Sequence, residues 1–146
     1  VRAAAQALGL SLKVASVNVR PGKPTFFGVL GDGRRMLGLP GNPASAFVCA
    51  ELFLKPIVMK LQGGAENLPM ASAKTAVPMA ANGSREHWMR AKLSYVDGSL
   101  IAEPYRDQDS SLVSVFAAAD ALLRRAANAQ ALAAGDLVEV LPLARA

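Results

Sequence analysis

The stretch that most constrains this chain is Gly38-Leu39-Pro40-Gly41-Asn42-Pro43-Ala44-Ser45-Ala46, a glycine and proline turn that opens directly into an apolar run. Asn42 suits the N-cap of a helix, and Pro43 suits its first position, where a missing N–H costs nothing. Ala44 onward forms helix readily, so a helix is expected from this turn to about Leu61, kinked where Pro56 removes a backbone donor. Its apolar residues Leu52, Phe53, Ile57, Val58 and Leu61 fall on more than one side, which predicts a largely buried helix at a domain or subunit interface. The first N–H groups of such a helix have no partners within it, and its dipole is positive there. Pro40, Gly41, Asn42 and Pro43 therefore shape a candidate anion cradle, with Ser45 adding a hydroxyl. Any well-capped helix has such an end, so this turn alone does not establish a site.

A second turn adds charge. Arg20-Pro21-Gly22-Lys23-Pro24 sends two cations out of a backbone whose φ is fixed at both prolines. Preorganised cations bind an anion at lower entropic cost, although a solvated turn lysine is an equally plain reading of Lys23. The charge balance favours the first part of the chain. Residues 1 to 62 carry eight Lys/Arg against Asp32 and Glu51, a balance of +6, and the remainder carries eight against nine, giving the overall +5. Few aromatics accompany the basic residues and no basic run exceeds two, which argues against extended nucleic-acid binding. No apolar run is long enough to span a bilayer as a helix. Cys49 is the single cysteine, so a disulfide framework is excluded and a reducing cytoplasm is expected. With only His87 beside it, it builds no zinc site, and the two carboxylates of residues 1–62 are poor equipment for a divalent metal.

Along the chain, Val1 to Leu8 reads as a helix, and Leu10 to Val19, Thr25 to Leu30 and Arg35 to Leu39 read as strands. Because the chain begins inside a helix, it reads as part of a longer protein. Gln62 to Pro69 is the best linker by composition, which divides the chain into an α/β part over 1–62, a linker over 63–71 and a small all-β, barrel-like domain over 72–146. In that second part Ala73 to Met79, His87 to Val96, Leu100 to Tyr105, Ala121 to Arg125 and Leu137 to Leu143 are expected strands, with turns at Asn82-Gly83, Asp97-Gly98 and Gly135-Asp136. Ser111 to Ala118 is expected to be one or two helical turns. Arg85 falls just before a strand and Arg90 within it, and at strand spacing five residues put them on opposite faces. Arg85, at the turn, is the better ligand candidate, and Arg90 is expected to pack its stem and pair with a carboxylate. Gln108 to Ser111 is a polar turn in which Ser110 or Ser111 can serve as a cap. No nucleophile, base and orienting acid occur together, and no catalytic residue is assigned.

The paired Pro-Gly-Lys-Pro and Gly-Leu-Pro-Gly-Asn-Pro-x-Ser-Ala motifs, then Arg85 to Ala91, Gln108 to Ser111 and Ala119-Asp120-Ala121-Leu122, resemble in order the C-terminal part of the molybdopterin molybdenumtransferase family, the MoeA and gephyrin E-domain group. The resemblance implies the C-terminal part of a three-layer α/β molybdopterin-binding domain followed by the small β domain. It implies insertion of molybdate into adenylylated molybdopterin with release of AMP, in molybdenum cofactor biosynthesis. Carried over by motif, the molybdate pocket falls on Lys23, Ser45, Arg85 and Ser110, with Arg20 where many members have lysine, and with Pro40 and Pro43 shaping the turn. The expected substrates are molybdate and the pterin nucleotide. Magnesium would be held by residues outside this chain, and the full-length protein is expected to be a cytoplasmic homodimer without nucleic-acid or membrane partners. Lacking the pterin- and nucleotide-gripping loop, the chain is expected to be inactive alone. The other reading implied by the group is a non-catalytic dimerisation and peptide-docking module of gephyrin type.

Overall fold

The structure, a computed structural model, describes residues 1–65, 67–106, 108 and 118–143. The chain opens with α1 (Arg2–Ala7), followed by β1 (Ser11–Val14), β2 (Val19–Arg20), β3 (Phe26–Val29) and β4 (Arg35–Gly38). A long helix follows as α2 (Pro43–Cys49), a π-helical turn (Ala50–Leu54) and α3 (Lys55–Leu61); then come β5 (Ala71–Thr75), β6 (Glu86–Val96), β7 (Ser99–Pro104), β8 (Ala121–Arg125) and β9 (Leu137–Pro142).

β1, β3 and β4 make an antiparallel sheet with β3 in the middle. Sequence alternation suggested one strand from Leu10 to Val19, but the chain divides there. β1 stays in the small sheet, whereas β2 crosses to pair in parallel with the start of β6. Residues 1–61 thus contribute helices and an antiparallel sheet, and a three-layer α/β domain is not contained in the described residues of this short chain.

The second part is a closed barrel. β6 pairs with β7, β7 with β5, β5 with β9, β9 with β8, and β8 returns to β6. Closure removes the open edges that a five-stranded sheet would otherwise expose. The β6–β7 hairpin turns through Asp97 and Gly98 at φ 47° and 72°, the type I′ geometry that matches strand twist. Period-two alternation then sorts β6. Met89, Ala91 and Leu93 face the barrel core of Ala73, Ala102, Ala121, Leu123, Val138 and Val140. Trp88 points outward and packs with Leu122 and Leu141 against Val48 and Leu52 of the long helix.

That helix differs from expectation in two ways. Its irregularity is a π turn immediately before Pro56, in which Lys55 N–H donates to the Ala50 carbonyl; a wider turn absorbs the crowding that proline causes, so the helix continues. It is also not largely buried. α2 and the π turn are packed against the barrel, but α3 has no buried residue, and Val58, Met59 and Leu61 are exposed. No helix among the described residues is long and apolar enough to cross a membrane. The expected helical turns at Ser111 to Ala118 lie, except for Ala118, outside the described residues, as does Ser110.

Candidate functional site

The site residues begin with the helix cap. Asn42 Oδ1 accepts the Ser45 backbone N–H at 3.1 Å, and the Ser45 hydroxyl lies 3.4 Å from the same oxygen. Ser45 is buried and Pro40 is buried beneath the turn, whereas Gly41 and Pro43 are exposed. The Asn42 cap therefore consumes one N–H of the cradle and fixes where the remaining N–H groups point.

The cationic turn is fastened to the same helix one turn further on. Gly22, at φ 123°, packs its Cα against Cys49 so closely that an added Cβ would overlap the Cys49 sulfur. The Thr25 hydroxyl donates to the Gly22 carbonyl at 2.8 Å and lies 3.1 Å from that sulfur. The Val17 N–H closes the excursion onto the Lys23 carbonyl at 3.2 Å. Cys49 and Ser45 are four apart on the helix and share a face, so Cys49 seats the Lys23 turn beside the Ser45 turn. Cys49 is fully buried, as its apolar neighbours suggested, and burial pushes its thiol pKa up, so it is a packing residue and not a nucleophile.

β2 brings the barrel to this turn. Val19 and Arg20 pair in parallel register with Glu86 and His87, the Glu86 N–H donates to the Asn18 carbonyl at 3.1 Å, and Asn18 Nδ2 donates to the Ser84 carbonyl at 2.8 Å. Paired residues in a parallel ladder share a face, and so do residues two apart on a strand. Arg20 and His87 consequently lie on one side of the β2–β6 seam, and Arg85, in the bend just before β6, is close enough to His87 to act on its charge. Arg20, Lys23 and Arg85 are exposed. None of the three is within salt-bridge distance of a carboxylate among the described residues, whereas Arg34 pairs with Asp32, Lys55 with Glu51, and Arg124 with Glu86 and Glu139. The cluster of Arg20 and Arg85 beside His87 therefore stays positive, as do Lys13, Arg35 and Lys92 elsewhere, which have no carboxylate within salt-bridge distance among the described residues either.

Arg90, three residues beyond His87 on β6, takes the opposite face. It is buried, and its Nε donates to Gln108 Oε1 at 3.4 Å. Gln108 also accepts the Arg90 N–H at 3.0 Å and donates to the Arg90 and Tyr105 carbonyls at 3.0 and 2.7 Å. It therefore bonds to both β6 and the end of the β7 segment at Tyr105. Asn82, expected in a plain turn, instead reaches the Arg85, Arg125 and Ala126 carbonyls at 2.9, 3.0 and 2.7 Å and holds the barrel end together.

Sequence reasoning gave His87 no role, yet it sits at the centre of the cluster. Its pKa is pushed down to about 4, first by burial and then by Arg20, Arg85 and Arg90. At neutral pH it is therefore an uncharged imidazole among guanidinium groups. The folded pKa lies below the ordinary 6.5, so between pH 6.5 and 4 the unfolded chain binds a proton that the folded chain refuses. Stability from this group is complete above pH 6.5 and is lost as pH falls through that window, by at most about 1.4 kcal/mol per pH unit. Urea unfolding of the wild type and of His87→Gln at pH 7 and pH 5 checks this, with the smaller acid loss expected in the variant. Among the described residues no group of three His, Cys, Asp or Glu side chains is placed to hold a metal ion.

The chain is similar in sequence and in fold to proteins of molybdenum cofactor synthesis. The family model of the MoeA C-terminal region (domain IV) matches residues 72–143. Molybdopterin molybdenumtransferase 1 of Mycobacterium tuberculosis is 30% identical over 99% of this chain and 35% of its own length. The molybdenum cofactor synthesis protein cinnamon of Drosophila melanogaster is 31% identical over 84% of this chain and 21% of its own. Among solved structures, a molybdopterin biosynthesis MoeA protein from Pyrococcus horikosii superposes with a TM-score of 0.77 at 26% identity, covering 97% of this chain and 34% of that one. The chain spans about a third or less of the length of these relatives. A closed barrel matched by the domain IV model, preceded by the two motif-bearing turns and aligned in order with these relatives, places the chain in the MoeA family, to whose C-terminal part it corresponds.

Proposed function

We propose that this chain carries the molybdate-holding half of a molybdopterin molybdenumtransferase, the activity for which its relatives are named. The observation that supports this reading is the seam between β2 and β6, where Arg20 pairs beside His87, Arg85 lies near the same imidazole, and β2 leads directly into the Lys23 turn. A tetrahedral dianion offers four oxygens. Lys23 and Arg85 supply charge-assisted hydrogen bonds, Arg20 adds a third cation, and the Ser45 turn supplies hydroxyl and backbone donors. Ser110 belongs to the same proposal through the family motif alone. Pro40, Gly41, Asn42 and Pro43 fix the shape of the turn, so that selection of molybdate over sulfate rests mainly on cavity size.

The reaction in this reading transfers molybdate to adenylylated molybdopterin and releases AMP, in the cytoplasm, with the full-length protein acting as a homodimer. This chain contributes binding, orientation and charge; the nucleotide grip and the magnesium ligands belong to other residues. The isolated chain is therefore expected to bind molybdate in preference to sulfate, measured by titration calorimetry, and to release no AMP when both substrates are added. AMP above background would refute its inactivity. No selective binding by a folded chain would refute the preformed pocket and leave the docking role of gephyrin type as the better reading. The exposed Val58, Met59 and Leu61 on α3 are the feature that would then serve it.

A further inference from the structure

His87 stands in a row of basic side chains. On β6 it lies between Arg20 of β2, its partner in the parallel ladder, and Arg125 of β8, its partner in the antiparallel one. Paired residues share a face, and all three line a cavity of about 600 Å³ at the end of the barrel. Arginine does not give up its proton in a protein, so His87 is the one member of the row whose charge can change. We propose that His87 is a proton-coupled ligand of the oxyanion site: when a dianion settles against Arg20 and Arg85, the imidazole takes up one proton and donates to the anion. This inference rests on the reading of the oxyanion site given above.

The surroundings prepare the ring for that change. It is half-buried, opens onto the cavity, and makes no hydrogen bond through its nitrogens to any described residue. The charges that hold it unprotonated, at a pKa of about 4, are all positive: after burial come Arg20 from β2, Arg85 from the bend before β6, and Arg90 from the other face of β6. Arg125 of β8 faces it as well, but its guanidinium is committed to the Ala80 and Gln130 carbonyls. From β7 and the segment after it, Glu103 is the single carboxylate in the lining; Arg106 offsets it, and the Tyr105 hydroxyl is spent on the Ala118 carbonyl. A dianion beside the ring reverses the sign of this field. An opposite charge within about 4–6 Å favours the protonated imidazole, which carries the pKa back toward the ordinary 6.5. Between those two values the complex holds a proton that the free chain does not, so acid strengthens binding, by up to about tenfold per pH unit. Lysine and arginine do not titrate in this range, so a site made of them alone would show no such slope.

His87 is the chain's single histidine, so the NMR signals of its two ring nitrogens report its protonation without ambiguity. At pH 5.5 the free chain is expected to show the separated pair of a neutral imidazole. Saturating molybdate, dilute enough to stay monomeric, is expected to move the pair about half of the way or more to the imidazolium positions. Molybdate affinity, by titration calorimetry, is expected to rise about twofold or more from pH 7 to pH 5.5. In His87→Gln, which keeps a hydrogen-bonding amide but cannot titrate, it is expected to change by less than about 1.5-fold over the same range. Molybdate bound with the ring still neutral, or a pH slope that persists in His87→Gln, would overturn the inference and leave the oxyanion reading standing. Failure of a folded chain to bind molybdate at either pH would overturn both.

Discussion

Replacing Trp88 with alanine is expected to destabilise the chain by about 3–5 kcal/mol, the range for deleting a large buried aromatic. Trp88 is the keystone between the long helix and the barrel: it is 4% exposed and packs among Val48, Leu52, Leu122 and Leu141. Its indole N–H donates to Glu86 Oε1 at 2.8 Å, and the Arg124 guanidinium, itself bonded to Glu86, lies over the ring at 5.9 Å. Truncation leaves a cavity at the seam and removes one donor from Glu86, while Arg124 still holds that carboxylate. Trp88→Phe keeps most of the apolar contact and should cost clearly less. Urea midpoints of both variants check this. A loss below about 1 kcal/mol for the alanine variant would mean that the helix and barrel are not welded through this side chain.

Gly22→Ala is expected to cost about 2–5 kcal/mol, combining a strained backbone with overpacking. At φ 123° a residue with a Cβ is disfavoured, and the new methyl group would occupy the place of the buried Cys49 sulfur. The same change pushes the Lys23 turn away from the Ser45 turn, so molybdate affinity should fall with stability. A double variant separates the two causes. Cys49→Ala removes the sulfur, and in that background Gly22→Ala should cost measurably less, leaving mainly the backbone strain. An unchanged cost in the Cys49→Ala background would show that the packing of the turn on the helix is unimportant.

Local chemistry was legible where it alone decides structure. Alternation located β8 at its observed ends, and β6, β7 and β9 to within a residue or so, because each barrel strand has one face on the core; Asp97-Gly98 marked its hairpin because few other pairs accept two positive φ values. Asn42 and Pro43 marked the helix start. Pairing between distant segments was not legible. Nothing in Val19-Arg20 indicates that it leaves the small sheet for β6, and without that register His87 cannot be placed among arginines. The exposure of α3 was likewise hidden, since apolar residues read the same whether this chain or another surface covers them. Asn82 looked like a turn residue because Asn-Gly commonly is one, yet its amide spans carbonyls from three residues across the barrel end.

The central claim is that a turn from the first part and an arginine from the barrel hold one oxyanion between them. A double-variant cycle for molybdate binding, with Lys23→Ala, Arg85→Ala and both together, tests it most directly. Both side chains are exposed, so stability should hardly change. Each single change is expected to weaken binding at least tenfold, and the double change to cost less than the two combined, because either loss already breaks the shared grip. Losses that combine independently, or either variant binding within twofold of the wild type, would contradict a pocket shared between the two parts.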